Sequence, residues 1–148
     1  MKYIVIILLT FFTSINVQAK NNPDAIIGKW IALPKKNVMV EVYRVGSEYK
    51  AKVAWFNDGD DKSKPMNQRM DEKNPDPDLR KRKLLGLEVL TGRVYNTEAN
   101  RWERGKIYDA KSGRIWSSAS WLAKDGTLQV RSFWHFEFMG QNMNFKKV

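Results

Sequence analysis

Short segments of alternating apolar and polar positions recur along most of the chain. The clearest is residues 49–56, where Tyr49, Ala51, Val53 and Trp55 alternate with more polar side chains. A period of two is typical of a β-strand that buries one face. This segment is therefore predicted to be a strand with those four side chains on its inner face.

Similar segments follow, separated by residues that favour turns. Segment 38–45 is rich in β-branched residues, and the pair Asp125-Gly126 is a strong hairpin signal. About eight strands are predicted in this way, over residues 26–33, 38–45, 49–56, 84–94, 102–109, 114–122, 127–133 and 140–148. No segment has the pattern of an amphipathic helix. The chain is therefore predicted to be all-β, with short strands that suit a barrel or a sandwich. A single small antiparallel barrel is the preferred interpretation.

One long polar segment, residues 57–83, interrupts the series of strands. Asp, Lys, Arg and Asn dominate it, and Pro65, Pro75 and Pro77 break any regular element. Loops of this length in small domains are usually functional lids or binding loops, or else they are disordered. The segment is therefore a candidate functional loop.

The first residues have the pattern of a secretory signal peptide. Lys2 precedes an apolar run over residues 3–15, and small residues suit cleavage after Ala19. The run is shorter than the roughly 20 apolar residues of a membrane span, although an uncleaved anchor is the alternative. We predict a signal peptide at 1–19, one domain at 20–148 without a transmembrane segment, and a periplasmic or secreted location.

The amino-acid composition excludes some kinds of catalytic and metal site and indicates a class of partner. The chain has no cysteine, which excludes thiol nucleophiles and thiolate metal sites, and its formal net charge is +10. Such a charge attracts polyanions, which outside the cytoplasm are anionic envelope components such as lipid headgroups or acidic glycans, and no nucleic acid is expected. The alternative is a basic surface that only aids solubility. The sequence does not indicate the oligomeric state.

The start of the first strand resembles a known class of barrel. Gly28-x-Trp30 is similar to the opening signature of lipocalin-type barrels. In those barrels the tryptophan closes one end, often against a basic residue of the last strand. The resemblance implies that Lys146 or Lys147 has that role here, where lipocalins usually have arginine.

A second resemblance covers nearly the whole predicted domain and concerns domain-of-unknown-function family 2147. The similar positions are Asp71, Asn74-Pro75, Arg80, Arg82, Leu84-Leu85-Gly86-Leu87, Trp102-x-x-Gly105-x-Ile107-Tyr108-Asp109, Gly113 and Leu128-x-Val130-Arg131. Membership implies a small exported bacterial protein with a lipocalin-like barrel and no established activity. The chain departs from the family near its end, where Gly140 and Phe145-Lys146 stand in place of a glycine followed by tryptophan and a basic residue.

Two groups of residues are candidates for binding a ligand. One is a partly open pocket lined by the aromatic side chains Tyr49, Trp55, Tyr108 and Trp121. The alternative is that the aromatic rings simply fill the barrel, since the interior of a small barrel is either filled or holds one small ligand.

The second group lies in the polar loop. Arg80 and Arg82 could grip the head of an acidic ligand bidentately, and Asp71 and Asn74 beside them belong to the same candidate site. The alternative is that these charges neutralise each other and hold the loop to the rim of the barrel.

Three functions remain open from the sequence. The preferred one is a binding module for a small apolar, amphipathic or acidic ligand. The second is an envelope-associated structural or interaction protein that uses its basic surface. The third is a hydrolase that uses the carboxylates and arginines of residues 71–82. His135 is the only histidine and has no catalytic or metal-binding pattern around it. No catalytic residue, metal site or cofactor is predicted, and an enzyme is not the favoured interpretation.

Overall fold

The fold is a closed barrel of eight antiparallel strands, in which consecutive strands pair and the last strand closes on the first. The structure is a computed structural model and describes residues 22–148. The strands are β1 (Gly28–Leu33), β2 (Val38–Val45), β3 (Glu48–Phe56), β4 (Glu88–Asn96), β5 (Arg101–Asp109), β6 (Arg114–Leu122), β7 (Leu128–Phe133) and β8 (Gln141–Lys147). The predicted all-β barrel of about eight strands is confirmed. The predicted signal peptide, residues 1–19, lies outside the described residues.

Helical structure in the described part of the chain is limited to short 3₁₀ turns. They span Pro23–Ile26, Met66–Gln68, Pro77–Leu79 and Glu137–Met139. None of the helices in residues 22–148 is long and apolar enough to cross a membrane.

The fourth strand begins later than predicted, so the long connection between β3 and β4 covers residues 57–87. Gly86 has a positive φ of 82°, a conformation that favours glycine, and its N–H donates to the Val53 carbonyl at 2.8 Å. This turn ends the loop, and β4 therefore begins at Glu88. The loop has internal pairing, since Met70 and Lys83 form an isolated antiparallel bridge.

One end of the barrel is closed by Trp30, which is 1% exposed. Its indole Nε1–H donates to the Ile26 carbonyl at 2.7 Å, and the Lys147 ammonium lies 5.4 Å from the ring centroid. A cation over an indole face is attracted by the electron-rich ring. The expected closure of a tryptophan by a base of the last strand is therefore present, with Lys147 as the base.

The 3₁₀ helix at Pro23–Ile26 lies across this same end, which we call the floor. The Tyr49 hydroxyl donates to Asp24 Oδ1 at 2.7 Å, and Trp102 Nε1–H donates to the Pro23 carbonyl at 3.0 Å. Ile26, the last residue of this helix, is fully buried. The floor therefore combines an apolar core with hydrogen-bonded tyrosine and indole groups.

Tyr49 predicts a loss of stability at alkaline pH. Burial, followed by the hydrogen bond to Asp24, raises the pKa of Tyr49 from 10.0 to about 12. A neutral tyrosine is thus favoured in the folded state, and this contribution is present below pH 10 and lost as the pH rises through about 12. Urea denaturation measures the free energy of unfolding at several pH values. Between pH 10 and about 12 we expect it to fall less for Tyr49→Phe than for the wild type. Equal losses would contradict the prediction.

The opposite end, which we call the mouth, is open along β8. Gln141, Asn142, Met143 and Asn144 are all exposed, although successive residues of a strand point to opposite faces. Met143 faces inward, opposite Val130 of β7, and is still 39% exposed. Pairing of β8 with β1 ends at the pair Leu33–Asn144, where β1 itself ends, so the first residues of β8 extend past β1. Solvent therefore reaches the inner face of β8 from the mouth.

Candidate functional site

Two charged side chains are buried among residues 22–148, and they differ in how their charge is compensated. Asp71 is 0% exposed and Arg93 is 1% exposed. A buried charge is costly unless an opposite charge and hydrogen bonds compensate for its lost hydration. The partners of these two residues therefore distinguish a structural charge from one that is available for binding.

Asp71 is fully paired. Its Oδ1 accepts a hydrogen bond from the Tyr108 hydroxyl at 2.6 Å, and its Oδ2 accepts from Arg82 Nε at 3.0 Å and Asn74 Nδ2 at 2.8 Å. The Arg82 guanidinium also lies 5.6 Å from the centroid of the Tyr108 ring. Burial and the bond to Asp71 raise the pKa of Tyr108, which therefore stays a neutral donor. Both carboxylate oxygens are committed within the protein.

The structure therefore brings together five of the residues predicted to bind a ligand. Arg80 joins the group by donating from Nε to the Asn74 carbonyl at 2.7 Å. The cluster consists of Asp71, Asn74, Arg80, Arg82 and Tyr108, and we call it the Asp71 cluster. It ties the long loop to the outer face of β5, as in the structural alternative.

The predicted aromatic pocket does not form. Tyr49 faces inward at the floor, whereas the pairs Trp55–Met39 and Trp121–Gln129 place both tryptophans on the outer face. For Trp55 the reason is a β-bulge: Val53 pairs with Val40, but Trp55 pairs with Met39, so β3 contains an extra residue. The alternation through residue 55 breaks there, and Trp55 is 36% exposed. Tyr108 also faces outward, towards the Asp71 cluster.

A second bulge turns Arg93 into the barrel. Gly92 has a positive φ of 66°, and the register of β4 against β3 shifts so that Arg93 lies opposite Tyr49 while Leu90 lies opposite Ala51. Simple alternation from the inward Leu90 would place Arg93 outside. Because directly opposite residues share a face, Arg93 points inward with Tyr49.

Arg93 has no carboxylate partner among the described residues. Its Nη1 donates to Ser120 Oγ at 2.9 Å, its Nη2 donates to Ser118 Oγ, and its buried Nε–H has no acceptor. Gly105 makes room for the group, since a Cβ at that position would lie 2.6 Å from Arg93 Nε. The guanidinium is thus held by two neutral hydroxyls in a space that glycine leaves open.

Burial lowers the pKa of Arg93 from 12.5 to about 9, because the charged form has lost its hydration. The side chain keeps its proton at neutral pH and contributes an uncompensated positive charge inside the barrel. Sequence reasoning missed Arg93, Ser118 and Ser120. The available signal was the unusual Gly92-Arg93 pair inside a strand, since an isolated glycine in a strand often marks a bulge.

Adjacent inward-facing residues link the Arg93 guanidinium with the mouth across three strands. Ser118 pairs with Ser132 of β7, which pairs with Gln141 of β8. In the same way, Ser120 pairs with Val130 of β7, which pairs with Met143 of β8. Neighbouring strands lie about 4.8 Å apart, so two strand spacings separate the buried serines from the exposed start of β8. This surface of β6, β7 and β8 is the candidate ligand path.

A separate groove of about 360 Å³ lies on the outer face of β5 and β6 beside the 134–140 segment. Arg101, Arg104 and Lys106 line it, and of these Arg101 is paired with Glu103 at 2.6 Å and Glu137 at 2.8 Å, whereas Lys106 donates to Ser117 Oγ at 2.8 Å. The segment also carries exposed rings, with Phe138 78% exposed. Because this groove lies outside the barrel and both of its carboxylates are already paired with Arg101, it is the weaker candidate site.

No group of three or more His, Asp or Glu side chains in residues 22–148 is placed to hold a metal ion. His135 is exposed and lies against Trp134, with the ring centroids 6.0 Å apart.

The closed barrel, its floor tryptophan and its accessible inner face define a lipocalin-like protein. The chain belongs to the bacterial family DUF2147, described as "Uncharacterized protein conserved in bacteria", whose model matches residues 28–147. Among solved structures, the chain is similar to protein HP1028 of Helicobacter pylori, described as belonging to the lipocalin family, with a TM-score of 0.68 and 21% identity over 82% of each chain. At this identity the likeness concerns the fold. None of the proteins with curated descriptions matches the chain.

Proposed function

We propose that the protein is an exported lipocalin-like binding module that takes a small amphipathic ligand into its barrel through the mouth. One observation carries this proposal: the inward-facing Met143 is 39% exposed, as expected where the inner face of a barrel is accessible and not filled by side chains. Trp30 and Trp102, each 1% exposed, close the opposite end. The barrel therefore has the form of a cup.

The inner lining suits a ligand with one polar and one apolar part. Val130 and Met143 offer apolar surface, whereas Ser118, Ser120 and Ser132 offer hydroxyls on adjacent rows of the same sheet. Binding sites of this kind combine mainly apolar walls with a few polar groups that fix orientation.

The other two functions receive less support. A hydrolase would need carboxylates that face a substrate, but both oxygens of Asp71 are bonded to side chains of its own cluster. Attachment to anionic envelope components through the basic surface stays a prediction, as does the periplasmic or secreted location.

A fluorescence titration with N-phenylnaphthylamine, a neutral probe that brightens in apolar surroundings, tests the proposal. We expect saturable binding with one probe per chain. Ser132→Phe places a ring on the inner surface near the mouth and is expected to weaken binding about tenfold or more, through steric exclusion. The control is Gln129→Phe, which places the same ring on the outer face of the same strand.

The pair of variants separates binding inside the barrel from adsorption to its surface. Absence of saturable binding to the wild type would contradict the proposal, as would equal affinities of the two variants. Thermal melts of both variants verify that each is folded before the titrations are compared.

A further inference from the structure

We infer that the barrel contains an anion subsite formed by Arg93, Ser118 and Ser120, which receives the carboxylate head of an amphipathic ligand whose chain extends towards the mouth. This inference rests on the proposed function and specifies the ligand class: an acidic head on a single apolar chain.

The first argument is the missing counter-charge. Arg93 is 1% exposed and, within residues 22–148, donates only to the two serine hydroxyls, leaving Nε–H without an acceptor. A guanidinium presents its N–H groups in a planar fork that matches a carboxylate. A bound carboxylate would supply both the negative charge and the acceptor that the protein does not.

The second argument is that the surroundings can adapt to an anion. Ser118 Oγ accepts from Arg93 and donates to the Gly105 carbonyl at 3.1 Å, and Ser120 Oγ accepts from Arg93 at 2.9 Å. Hydroxyl hydrogens rotate, so Ser120 can instead donate to an incoming oxygen. The subsite thus has donors on two strands, with no competing carboxylate hydrogen-bonded to it.

The third argument is the position of the subsite relative to the opening. The inner surface runs from Ser120 across Val130 to Met143, which is exposed at the mouth. Two strand spacings amount to about 10 Å, close to the length of a medium alkyl chain. A ligand with its head at Arg93 would lay its chain along these apolar side chains.

Calorimetric titration with decanoate and decanol tests the subsite, because the two probes share a chain and differ in head charge. We expect Arg93→Met to weaken decanoate binding at least about 30-fold, as when one partner of a buried charge pair is lost. Decanol affinity should change by less than about threefold, since its head makes no ion pair. Arg114→Met, at an exposed position of β6, is the control for the general effect of a lost positive charge.

Stability provides a readout that does not depend on a ligand. Removal of an uncompensated buried charge is expected to raise the melting temperature of the empty Arg93→Met protein by several degrees. The same variant should therefore be more stable when empty and less stabilised by decanoate.

The possible outcomes separate this inference from the proposed function. If decanol and decanoate both bind and Arg93→Met affects neither, or if Arg114→Met has the same effect as Arg93→Met, the subsite is wrong and the binding module stands. If neither probe binds the wild type, both proposals are wrong. Selective loss of decanoate affinity in Arg93→Met supports both.

Discussion

Trp30→Ala is expected to reduce the free energy of unfolding by about 3–5 kcal/mol, as is typical when a large aromatic side chain is removed from a core. Trp30 is 1% exposed, donates to the Ile26 carbonyl and packs against Lys147. The substitution would leave a cavity at the floor and an unpaired carbonyl beneath it. The total free energy of unfolding of a globular domain is about 5–15 kcal/mol, so this loss is a large share of it. Urea denaturation followed by circular dichroism measures it.

Two variants identify the source of that loss. Trp30→Phe keeps most of the ring but removes the indole N–H, so a loss of about 1–2 kcal/mol is expected from the broken hydrogen bond and the smaller volume. Trp55→Ala removes a tryptophan that is 36% exposed on the outer face and should cost about 1 kcal/mol or less. A Trp55→Ala effect as large as that of Trp30→Ala would show that the floor is not the critical element.

Asp71→Ala is expected to cost about 2–4 kcal/mol and to release the long loop from the barrel. The change removes the acceptor of three side-chain donors, on Tyr108, Arg82 and Asn74. The figure stays below that for a fully buried ion pair because the Arg82 side chain is 39% exposed and water can solvate its charge. Hydrogen exchange should show lost protection in residues 57–87 and little change in the β-strands.

Glu72→Ala is the matched control for that substitution. Glu72 neighbours Asp71 in sequence, but its side chain is 65% exposed and its ion pair with Lys64 is 3.7 Å long. Exposed pairs of this kind contribute little, so an effect below about 0.5 kcal/mol is expected. The Asp71 cluster does not hold the loop if both variants lose the same free energy of unfolding. The same conclusion follows if residues 57–87 stay protected from hydrogen exchange in Asp71→Ala.

The sequence predicts the number and order of the strands because turn residues and apolar alternation are local properties. Predicted strand 114–122 coincides with β6, and the Gly28-x-Trp30 resemblance implied the closure by a basic residue that Lys147 provides. Four members of the Asp71 cluster were predicted as one group in the polar loop, whereas Tyr108 was assigned to the aromatic pocket and proved to be a partner of Asp71.

The interior could not be predicted in the same way, because two bulges reverse the face of residues that follow them. One moves Trp55 out of the barrel, and the other brings Arg93 into it. A bulge depends on the register of a strand against its neighbour, which alternation within one strand does not reveal. Both errors therefore concern the same question, namely which side chains line the ligand path.

The position of Val148 has a practical consequence for handling the protein. The 3₁₀ helix at Pro23–Ile26 covers the floor, and Val148 donates its N–H to the Lys29 carbonyl at the same end. An affinity tag, a fluorophore or a sensor-chip linkage attached after Val148 would therefore start on the side away from the opening. Immobilised through a linkage at Val148, the molecule would present its entrance to the flowing solution, which favours surface-based screening of candidate ligands.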